Sequence, residues 1–129
     1  MPDPLPPLEI TYDEPDAATA TPIVLLPAMG VPARVYTSFA GHLCSLGHPV
    51  ARVHWRDEDR DFPIAHPDYG YADLAERDVP QAVATVRERY VQDPLIVGHS
   101  LGGQISTIAA ARSGPLAGVA IIASGSNYW

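Results

Sequence analysis

The sequence predicts an α/β protein, with a mostly parallel sheet between two layers of helices in a three-layer α/β/α sandwich. Three observations lead to this prediction. Short apolar runs typical of buried strands alternate with longer segments in which apolar residues recur at helical spacing. Strands that alternate with helices form parallel βαβ units, since short connections and right-handed crossovers favour them. A glycine-rich turn joins one of these strands directly to a helix.

The chain begins with a proline-rich segment and a first, isolated strand. Residues 1–7 contain four prolines, which predicts an extended, mobile lead-in, so the single domain is expected to span residues 8–129. Leu8, Ile10 and Tyr12 alternate with polar residues. This period of two predicts a short, half-exposed strand.

The next elements form a strand, a helix and a second strand. The run Ile23–Leu26 lies between two prolines and predicts a strand buried on both faces. Pro32 suits a first helical turn, and Gly47 can end the helix. Val50 to Trp55 predicts another strand, and the mixed charges of residues 56–61 predict a solvated loop. The apolar positions that define the helix are Tyr36, Phe39, Ala40, Leu43 and Leu46.

The second half of the chain repeats the alternation. Residues 73–90 predict a helix that Pro80 either opens or kinks. Residues 95–97 predict a short buried strand, and residues 100–112 predict a helix rich in small side chains. Residues 119–123 predict a last buried strand, whose outer edge is free and apolar. The residues expected to point inward from the last helix are Ile105, Ile108 and Ala109.

Charge and composition exclude several classes of function. The net charge of −7 leaves no basic stripe for nucleic acid and disfavours an anionic membrane surface. The single cysteine, Cys44, allows no intrachain disulfide and reads as a small core residue. The acidic, proline-rich start lacks the basic and apolar regions of a signal peptide, and no apolar run reaches the length of a membrane span. We therefore expect a cytoplasmic protein.

The pattern that carries chemistry is G-x-S-x-G between a predicted strand and a predicted helix. A strand-to-helix turn this sharp holds Ser100 in a strained conformation with its hydroxyl above the sheet. Gly98 and Gly102 leave room where the chain folds back on itself, and Gly103 lets the helix approach the neighbouring strand. At the N-terminus of the helix, the main-chain N–H of Leu101 is placed to hold an oxyanion. This arrangement predicts a serine nucleophile.

Three stretches carry a resemblance to a known family. Residues 27–34, 98–103 and 124–129 are similar to the N-terminal half of the α/β-hydrolase superfamily, and to a group of bacterial predicted hydrolases of undefined substrate. The resemblance implies that the loop after the Ile23–Leu26 strand supplies a second oxyanion donor. Pro27 and Ala28 occupy the two places where many relatives have His-Gly, so the resemblance makes the N–H of Met29 that donor.

The usual partners of such a serine are missing. A serine hydroxyl needs a base within hydrogen-bond reach and a third group that orients the base. In this superfamily the acid and then the histidine follow the serine, but no Asp, Glu or His follows Ser100. His54 and His66 are alternative bases, because His54 ends a strand at the rim of the sheet where Ser100 is expected, and His66 lies in a loop, residues 63–71, that could reach the same rim. The chain by itself is therefore expected to be inactive or weakly active.

Two functions from different classes remain open. The first is a serine hydrolase, by resemblance an esterase or lipase, whose small-molecule substrate is an ester, thioester or amide acyl compound attacked by Ser100. The alternative is a non-catalytic remnant or binding module of the same fold. Neither reading implies a metal or an organic cofactor. The free edge at residues 119–123 is a candidate surface for self-association or for a completing chain.

Overall fold

The computed structural model describes residues 4–125 and contains a five-stranded sheet. The order of the strands is β1-β3-β2-β4-β5. The pairs β3–β2, β2–β4 and β4–β5 are parallel, and β1 pairs antiparallel with β3. The predicted mostly parallel sheet is confirmed. The strands are β1 (Ile10–Asp13), β2 (Ile23–Leu26), β3 (Val50–Val53), β4 (Leu95–His99) and β5 (Gly118–Ile122).

Helices connect the strands, several of them extended by single 3-10 turns. The turn Ala33–Tyr36 leads into the first helix, Arg56–Glu58 follows β3, and Ala110–Arg112 continues the last helix. The α-helices are α1 (Thr37–Ser45), α2 (Phe62–Ala65), α3 (Tyr71–Asp73), α4 (Val79–Tyr90) and α5 (Leu101–Ala109).

Two apolar cores lie on opposite faces of the sheet. On one face, Val83 of α4 and Ile105 of α5 pack with Ile96 of β4. On the other face, Ala40 of α1 packs with Val97 of β4. β2 and β4, in the middle of the sheet, contribute to both cores, because successive side chains of a strand point to opposite faces. The predicted three-layer α/β/α sandwich is therefore confirmed.

The helix predicted over residues 73–90 is irregular in its first part. A π-helical segment, Leu74–Asp78, lies between α3 and α4, and the N–H of Val79 donates to the carbonyl of Leu74. Pro80 follows at the second position of α4. Proline has no N–H to donate and its ring crowds the preceding turn, so the wider π turn accommodates it. Pro80 thus stands at the start of the regular helix.

The end of α1 follows the prediction for Gly47. Gly47 has φ of 92°, and its N–H donates to the carbonyl of Cys44 at 2.9 Å. The N–H of His48 reaches back to Leu43 at 3.1 Å. These two bonds form a Schellman motif, in which glycine takes the left-handed position without a Cβ penalty.

The margin of the sheet at β5 differs from its centre. Val119 and Ile121 are 40% and 52% exposed, so the prediction of a buried last strand is wrong. Ile108 of α5, expected to point inward, is 58% exposed. The reason is that α5 reaches past β4 to the border of the sheet, where Ile108 and Ile121 line an open groove. Within residues 4–125 β5 pairs only with β4, and association of the chain through the other edge stays a prediction.

Residues 4–9 form neither helix nor strand, and the carbonyl of Pro6 accepts a hydrogen bond from Arg56. Residues 1–3 of the predicted lead-in and residues 126–129 of the resemblance lie outside the described residues. Among the helices of residues 4–125, none has the length and apolar character needed to cross a membrane.

Candidate active site

Ser100 stands at the junction of β4 and α5, with no residue between the strand and the serine. Its backbone has φ of 54° and ψ of −114°. Residues other than glycine rarely adopt a positive φ. The N–H of Ser100 donates to the carbonyl of Ile122 at 2.9 Å, which ties the turn to β5. Such strain persists only where the surroundings enforce it, and it clusters at functional sites. Ser100 is partly exposed, and its hydroxyl makes no hydrogen bond within residues 4–125.

The surrounding glycines lie at points of very close approach. A Cβ on Gly98 would lie 2.5 Å from the carbonyl oxygen of Gly102. A Cβ on Gly102 would lie closer still to the carbonyl oxygen of Leu26 at the end of β2, and one on Gly103 would overlap the hydroxyl of Ser124. Gly98 and Gly102 thus pack on each other where the chain folds back. Gly102 also packs against β2, so the turn is held by its neighbouring strand.

Two main-chain N–H groups at this end of the sheet have no acceptor within residues 4–125. Leu101 is the first residue of α5, where the helix leaves its N–H groups unpaired. Met29 lies in the turn that the N–H of Val31 closes by donating to the carbonyl of Ala28 at 3.2 Å. Neither the N–H of Leu101 nor that of Met29 donates a hydrogen bond within residues 4–125.

The sheet brings these two groups to the same end. Leu26 pairs with Gly98 in the parallel register of β2 and β4, so the chain leaves both strands side by side. Met29 and Leu101 line one cavity. Crevices at the carboxyl ends of parallel strands are where open α/β sheets bind ligands.

Tyr36 connects the turn at Ser100 with the loop after β2. Its hydroxyl accepts a hydrogen bond from the N–H of Ala28 at 2.8 Å and is hydrogen bonded to Nδ1 of His99 at 2.8 Å. The Tyr36 and His99 rings meet edge to face at 5.8 Å. His99, the residue before Ser100, therefore packs on Tyr36 and hydrogen bonds to it. Helical spacing predicts only an apolar position for Tyr36, and the role of its hydroxyl is not visible in that pattern.

Trp55 holds the same loop from the other side. Its indole N–H donates to the carbonyl of Pro27 at 2.9 Å, and only 4% of the residue is exposed. Tyr36 and Trp55 therefore hold the two ends of a single peptide group, Pro27–Ala28, which precedes the peptide group that carries the N–H of Met29. In the sequence, the only feature that could have indicated this contact is a tryptophan close to the end of an apolar strand.

The two alternative histidines differ in their surroundings. Nε2 of His54 is hydrogen bonded to the hydroxyl of Thr11 at 2.6 Å, and Nδ1 is 2.8 Å from Oε2 of Glu58. With both ring nitrogens engaged, His54 joins β1 to the loop after β3 and is not free to serve as a base. The ring of His66 stacks on Phe62 at 4.6 Å and lines the cavity beside Leu101. Within residues 4–125, neither imidazole hydrogen bonds to Ser100.

A buried ion pair lies behind the cavity wall. Nε and Nη2 of Arg56 are 3.1 and 3.2 Å from the two carboxylate oxygens of Asp78, which has no exposed surface. The hydroxyl of Tyr69 donates to the same carboxylate. Burial, and then the hydrogen bond to Asp78, raises the pKa of Tyr69 above its ordinary value. The prediction that residues 56–61 form a solvated loop is therefore wrong for Arg56.

Metal-binding side chains are not clustered near the serine. Residues 4–125 contain no group of three or more His, Cys, Asp or Glu side chains placed to hold a metal ion. The single thiol, Cys44, donates to the carbonyl of Asp13 at 3.3 Å, and burial is the main cause that raises its pKa. Neither observation provides a second reactive group beside Ser100.

No protein-family model matches the chain, and a search of curated proteins finds no match. Solved structures do match. The chain is similar to a highly thermostable carboxyl esterase from Bacillus coagulans, with 21% identity and a TM-score of 0.74, over 88% of this chain and 39% of the esterase. It is similar to a monoacylglycerol lipase from Paleococcus ferrophilus, with 17% identity and a TM-score of 0.66, over 92% and 43% of the two chains.

An epoxide hydrolase from Mycobacterium thermoresistibile also matches, with 14% identity and a TM-score of 0.63, over 88% of this chain and 35% of that enzyme. The chain therefore spans about two-fifths of the length of these structures. At these identities the likeness concerns the fold. The chain has the α/β-hydrolase fold, and the resemblance that the sequence indicates is confirmed at that level.

Proposed function

We propose that the chain is the nucleophile-bearing part of a serine hydrolase that acts on an ester, thioester or amide acyl compound. The observation that carries the proposal is the strained backbone of Ser100 between β4 and α5, with φ of 54°. A serine in this position of a strand-to-helix turn presents its hydroxyl above the sheet. Gly98, Gly102 and Gly103 are the residues that permit the turn, because a side chain at any of them would collide with main chain or with Ser124.

The proposed reaction begins with attack of Oγ of Ser100 on the acyl carbonyl carbon, while its proton passes to a base. Negative charge then develops on the carbonyl oxygen. The N–H groups of Leu101 and Met29 hold this oxyanion, helped by the positive end of the α5 dipole. Collapse of the tetrahedral intermediate expels the alcohol, thiol or amine, which takes up a proton. Water then attacks the acyl carbonyl carbon and gives a proton to the base, and the second tetrahedral intermediate breaks its bond to Oγ of Ser100, which takes up the proton as the carboxylic acid leaves.

Two side chains support the oxyanion loop in this proposal. Tyr36 binds the N–H of Ala28, and Trp55 binds the carbonyl of Pro27. Both contacts precede Met29 in the chain and restrict the direction of its N–H. Donors that are already oriented stabilise developing charge without reorganising during the reaction.

No carboxylate or imidazole hydrogen bonds to the hydroxyl of Ser100 within residues 4–125. This observation favours a second candidate, a binding protein that uses the same fold without catalysis. Removal of the triad in serine proteases leaves only the residual rate that the oxyanion site and substrate binding provide.

A fluorophosphonate probe separates the two candidates. The hydrolase proposal predicts stoichiometric labelling that is lost in Ser100→Ala, measured by intact-protein mass spectrometry. Ser38→Ala is the matched control, since Ser38 is exposed in α1, and it should label like the unaltered chain. Absence of labelling in the unaltered chain would support the binding protein.

A second variant tests the oxyanion site without relying on a base. The thiol of Ser100→Cys would lie at the N-terminus of α5, where the helix dipole favours a thiolate. We expect its pKa, from the pH dependence of alkylation, to lie below the ordinary value of about 8.5. Cys44, whose pKa is raised by burial, is the internal comparison. A thiol at position 100 no more acidic than an ordinary one would contradict the proposed oxyanion site.

A further inference from the structure

The loop after β2, residues 27–32, is anchored at its end as well as at its start. Ala33, the next residue, has no exposed surface. Its main-chain N–H donates to Oε1 of Glu58 at 2.7 Å, and its carbonyl accepts a hydrogen bond from Nη1 of Arg52 at 3.0 Å. Buried main-chain groups are paired in this way in nearly all proteins. Here the two partners come from different places and fix Ala33 from two sides.

Glu58 is itself held by a polar relay that begins on β1. Its second carboxylate oxygen, Oε2, is 2.8 Å from Nδ1 of His54. Nε2 of the same ring is 2.6 Å from the hydroxyl of Thr11. The side chains of His54 and Glu58 are 16% and 25% exposed, so the relay is mostly shielded from water. Because both carboxylate oxygens are engaged, the direction in which Glu58 meets Ala33 is fixed.

The second anchor of Ala33 also depends on β1. Thr11 is opposite Arg52 in the register of β1 and β3, so the two side chains lie on the same face of the sheet. Asp13, two residues further along that face, accepts hydrogen bonds from Nε and Nη2 of Arg52 at 2.6 and 3.0 Å. The antiparallel strand at the margin of the sheet therefore supports Ala33 by two routes, one through Glu58 and one through Arg52.

The middle of the loop has little packing of its own. Gly30 has φ of 69°, and a Cβ there meets no atom within 4 Å. Met29 is 56% exposed. Order in this stretch comes from the turn between Ala28 and Val31 and from Pro32, whose ring fixes φ near its value of −67°. The direction of the N–H of Met29 therefore depends on where the two ends of the loop are held.

We propose that Glu58 is a positioning residue of the oxyanion site, which orients the N–H of Met29 by fixing Ala33. The role given to Met29 rests on the proposed function of Ser100. Donors that are oriented in advance stabilise developing charge without a cost of reorganisation. The carboxylate acts through this geometry, since its own negative charge opposes a second negative charge nearby.

Glu58→Ala removes the anchor at the end of the loop. Its side chain lies partly at the surface, so water can replace the lost acceptor and the variant should fold. We expect the limiting rate of fluorophosphonate labelling to fall about 10-fold, as for one hydrogen bond to a charged group. Loss of a whole oxyanion donor costs more, roughly 100-fold or above. The probe concentration that gives half of the limiting rate should not change.

Glu88→Ala is the matched control. Glu88 is exposed in α4, which packs on the opposite face of the sheet, and its removal changes the net charge by the same amount. This variant should label like the unaltered chain. A purely structural role of Glu58 predicts lower stability of Glu58→Ala in urea denaturation with an unaltered limiting rate, and that result would overturn the proposal.

Glu58→Gln separates geometry from charge. Glutamine keeps an oxygen for the N–H of Ala33, and its amide can face His54 once the ring donates to Thr11 through Nε2. Positioning therefore predicts a limiting rate within about threefold of the unaltered chain. An effect of charge through space predicts faster labelling in both Glu58 variants, because a negative charge is removed. Faster labelling, or a glutamine variant as slow as the alanine variant, would contradict positioning.

His54→Ala tests the relay behind Glu58. It leaves the bond between Glu58 and Ala33 in place, so labelling should slow less than in Glu58→Ala. The double variant should be no slower than Glu58→Ala alone, because His54 acts through Glu58. A larger loss in His54→Ala than in Glu58→Ala, or additive losses, would show that the ring acts by another route.

Amide NMR of Ser100→Ala gives a readout that needs no reactive serine. With Glu58→Ala added, the amide proton of Ala33 should move to lower chemical shift, since it loses a charge-assisted bond. The order parameter of Gly30 should fall below the value of about 0.85 that is typical of rigid backbone. Glu58→Gln and Glu88→Ala should leave Gly30 ordered. Equal order of Gly30 in all variants would refute the positioning role.

The outcomes for Glu58 and for the serine are separable. A loosened Gly30 in Glu58→Ala without any labelling of the unaltered chain would support the anchor and contradict the nucleophile. Labelling of Ser100 at a limiting rate that Glu58→Ala leaves unchanged would support the nucleophile and contradict the positioning role.

Discussion

β4 and β5 are neighbouring parallel strands of five residues, and both are mostly apolar, yet they differ in burial. Ile96 of β4 has no exposed surface, whereas Ile121 of β5 is 52% exposed. β4 has a strand on each side and helices packed on both faces, while β5 pairs only with β4 within residues 4–125. Burial of a strand therefore follows from its position in the sheet, and its apolar content alone does not decide it.

The candidate site lies at the end of β4, the more deeply buried of these two strands. Ser100 follows the fully packed strand, and its turn is fixed by contacts of Gly98 and Gly102 with main-chain atoms. A strained backbone requires surroundings that leave no alternative. The left-handed residue after β5, Ala123 with φ of 52°, has only the partly covered margin of the sheet around it. We therefore expect small changes of shape to affect function at the turn after β4 more than at the end of β5.

A matched pair of truncations tests the comparison most directly. Ile96→Ala should lower the free energy of unfolding by about 2–5 kcal/mol, because it opens a void in a closed core. Ile121→Ala should lower it by about 1 kcal/mol or less, because the side chain is already half in water. Urea denaturation of the two variants measures both values. Equal losses would show that the margin at β5 is as tightly packed as the centre.

Gly102→Ala tests how tightly the turn at Ser100 is packed. Its Cβ would collide with the carbonyl of Leu26, which belongs to the backbone of a central strand and cannot easily move. We expect a loss of about 1–3 kcal/mol in the free energy of unfolding and loss of fluorophosphonate labelling at Ser100.

Gly41→Ala is the control for that variant. Gly41 lies inside α1, and an added Cβ meets no atom within 4 Å. Alanine should raise stability there by about 0.5–1 kcal/mol and leave labelling unchanged. Labelling of Gly102→Ala at the unaltered rate would contradict the tight turn.

Tyr36→Phe should give the smallest effect. It removes the hydroxyl between Ala28 and His99 while keeping the buried ring. If that bond orients the N–H of Met29, the limiting rate of labelling should fall roughly 2- to 10-fold, as expected for one hydrogen bond of about 0.5–1.5 kcal/mol.

The probe concentration that gives half of the limiting rate should stay the same for Tyr36→Phe, because the cavity is unchanged. A merely structural role would predict lower stability with an unaltered limiting rate. Tyr71→Phe, at an exposed tyrosine that lines the cavity, provides the comparison and should label normally.

Local patterns predicted most of the fold. The apolar run of residues 23–26, the glycine that ends α1 and the turn at Ser100 each depend on interactions within a few residues, so the sequence displays them directly. Where the prediction failed, at Ile108 and β5, the error was to treat apolar character as burial. Burial depends on which elements cover a residue, and a short window of sequence does not contain that information.

The features of the candidate site also divide into those that local sequence predicts and those that depend on tertiary contacts. The amino-acid sequence by itself determined the strand, the serine and the glycines of the turn, because steric limits on neighbouring peptide groups allow few alternatives. Only the tertiary structure decided that Tyr36 meets His99, that His54 is occupied by Thr11 and Glu58, and that Arg56 is buried against Asp78. Most of these partners are separated by many residues along the chain. Their contact depends on how the helices pack on the sheet.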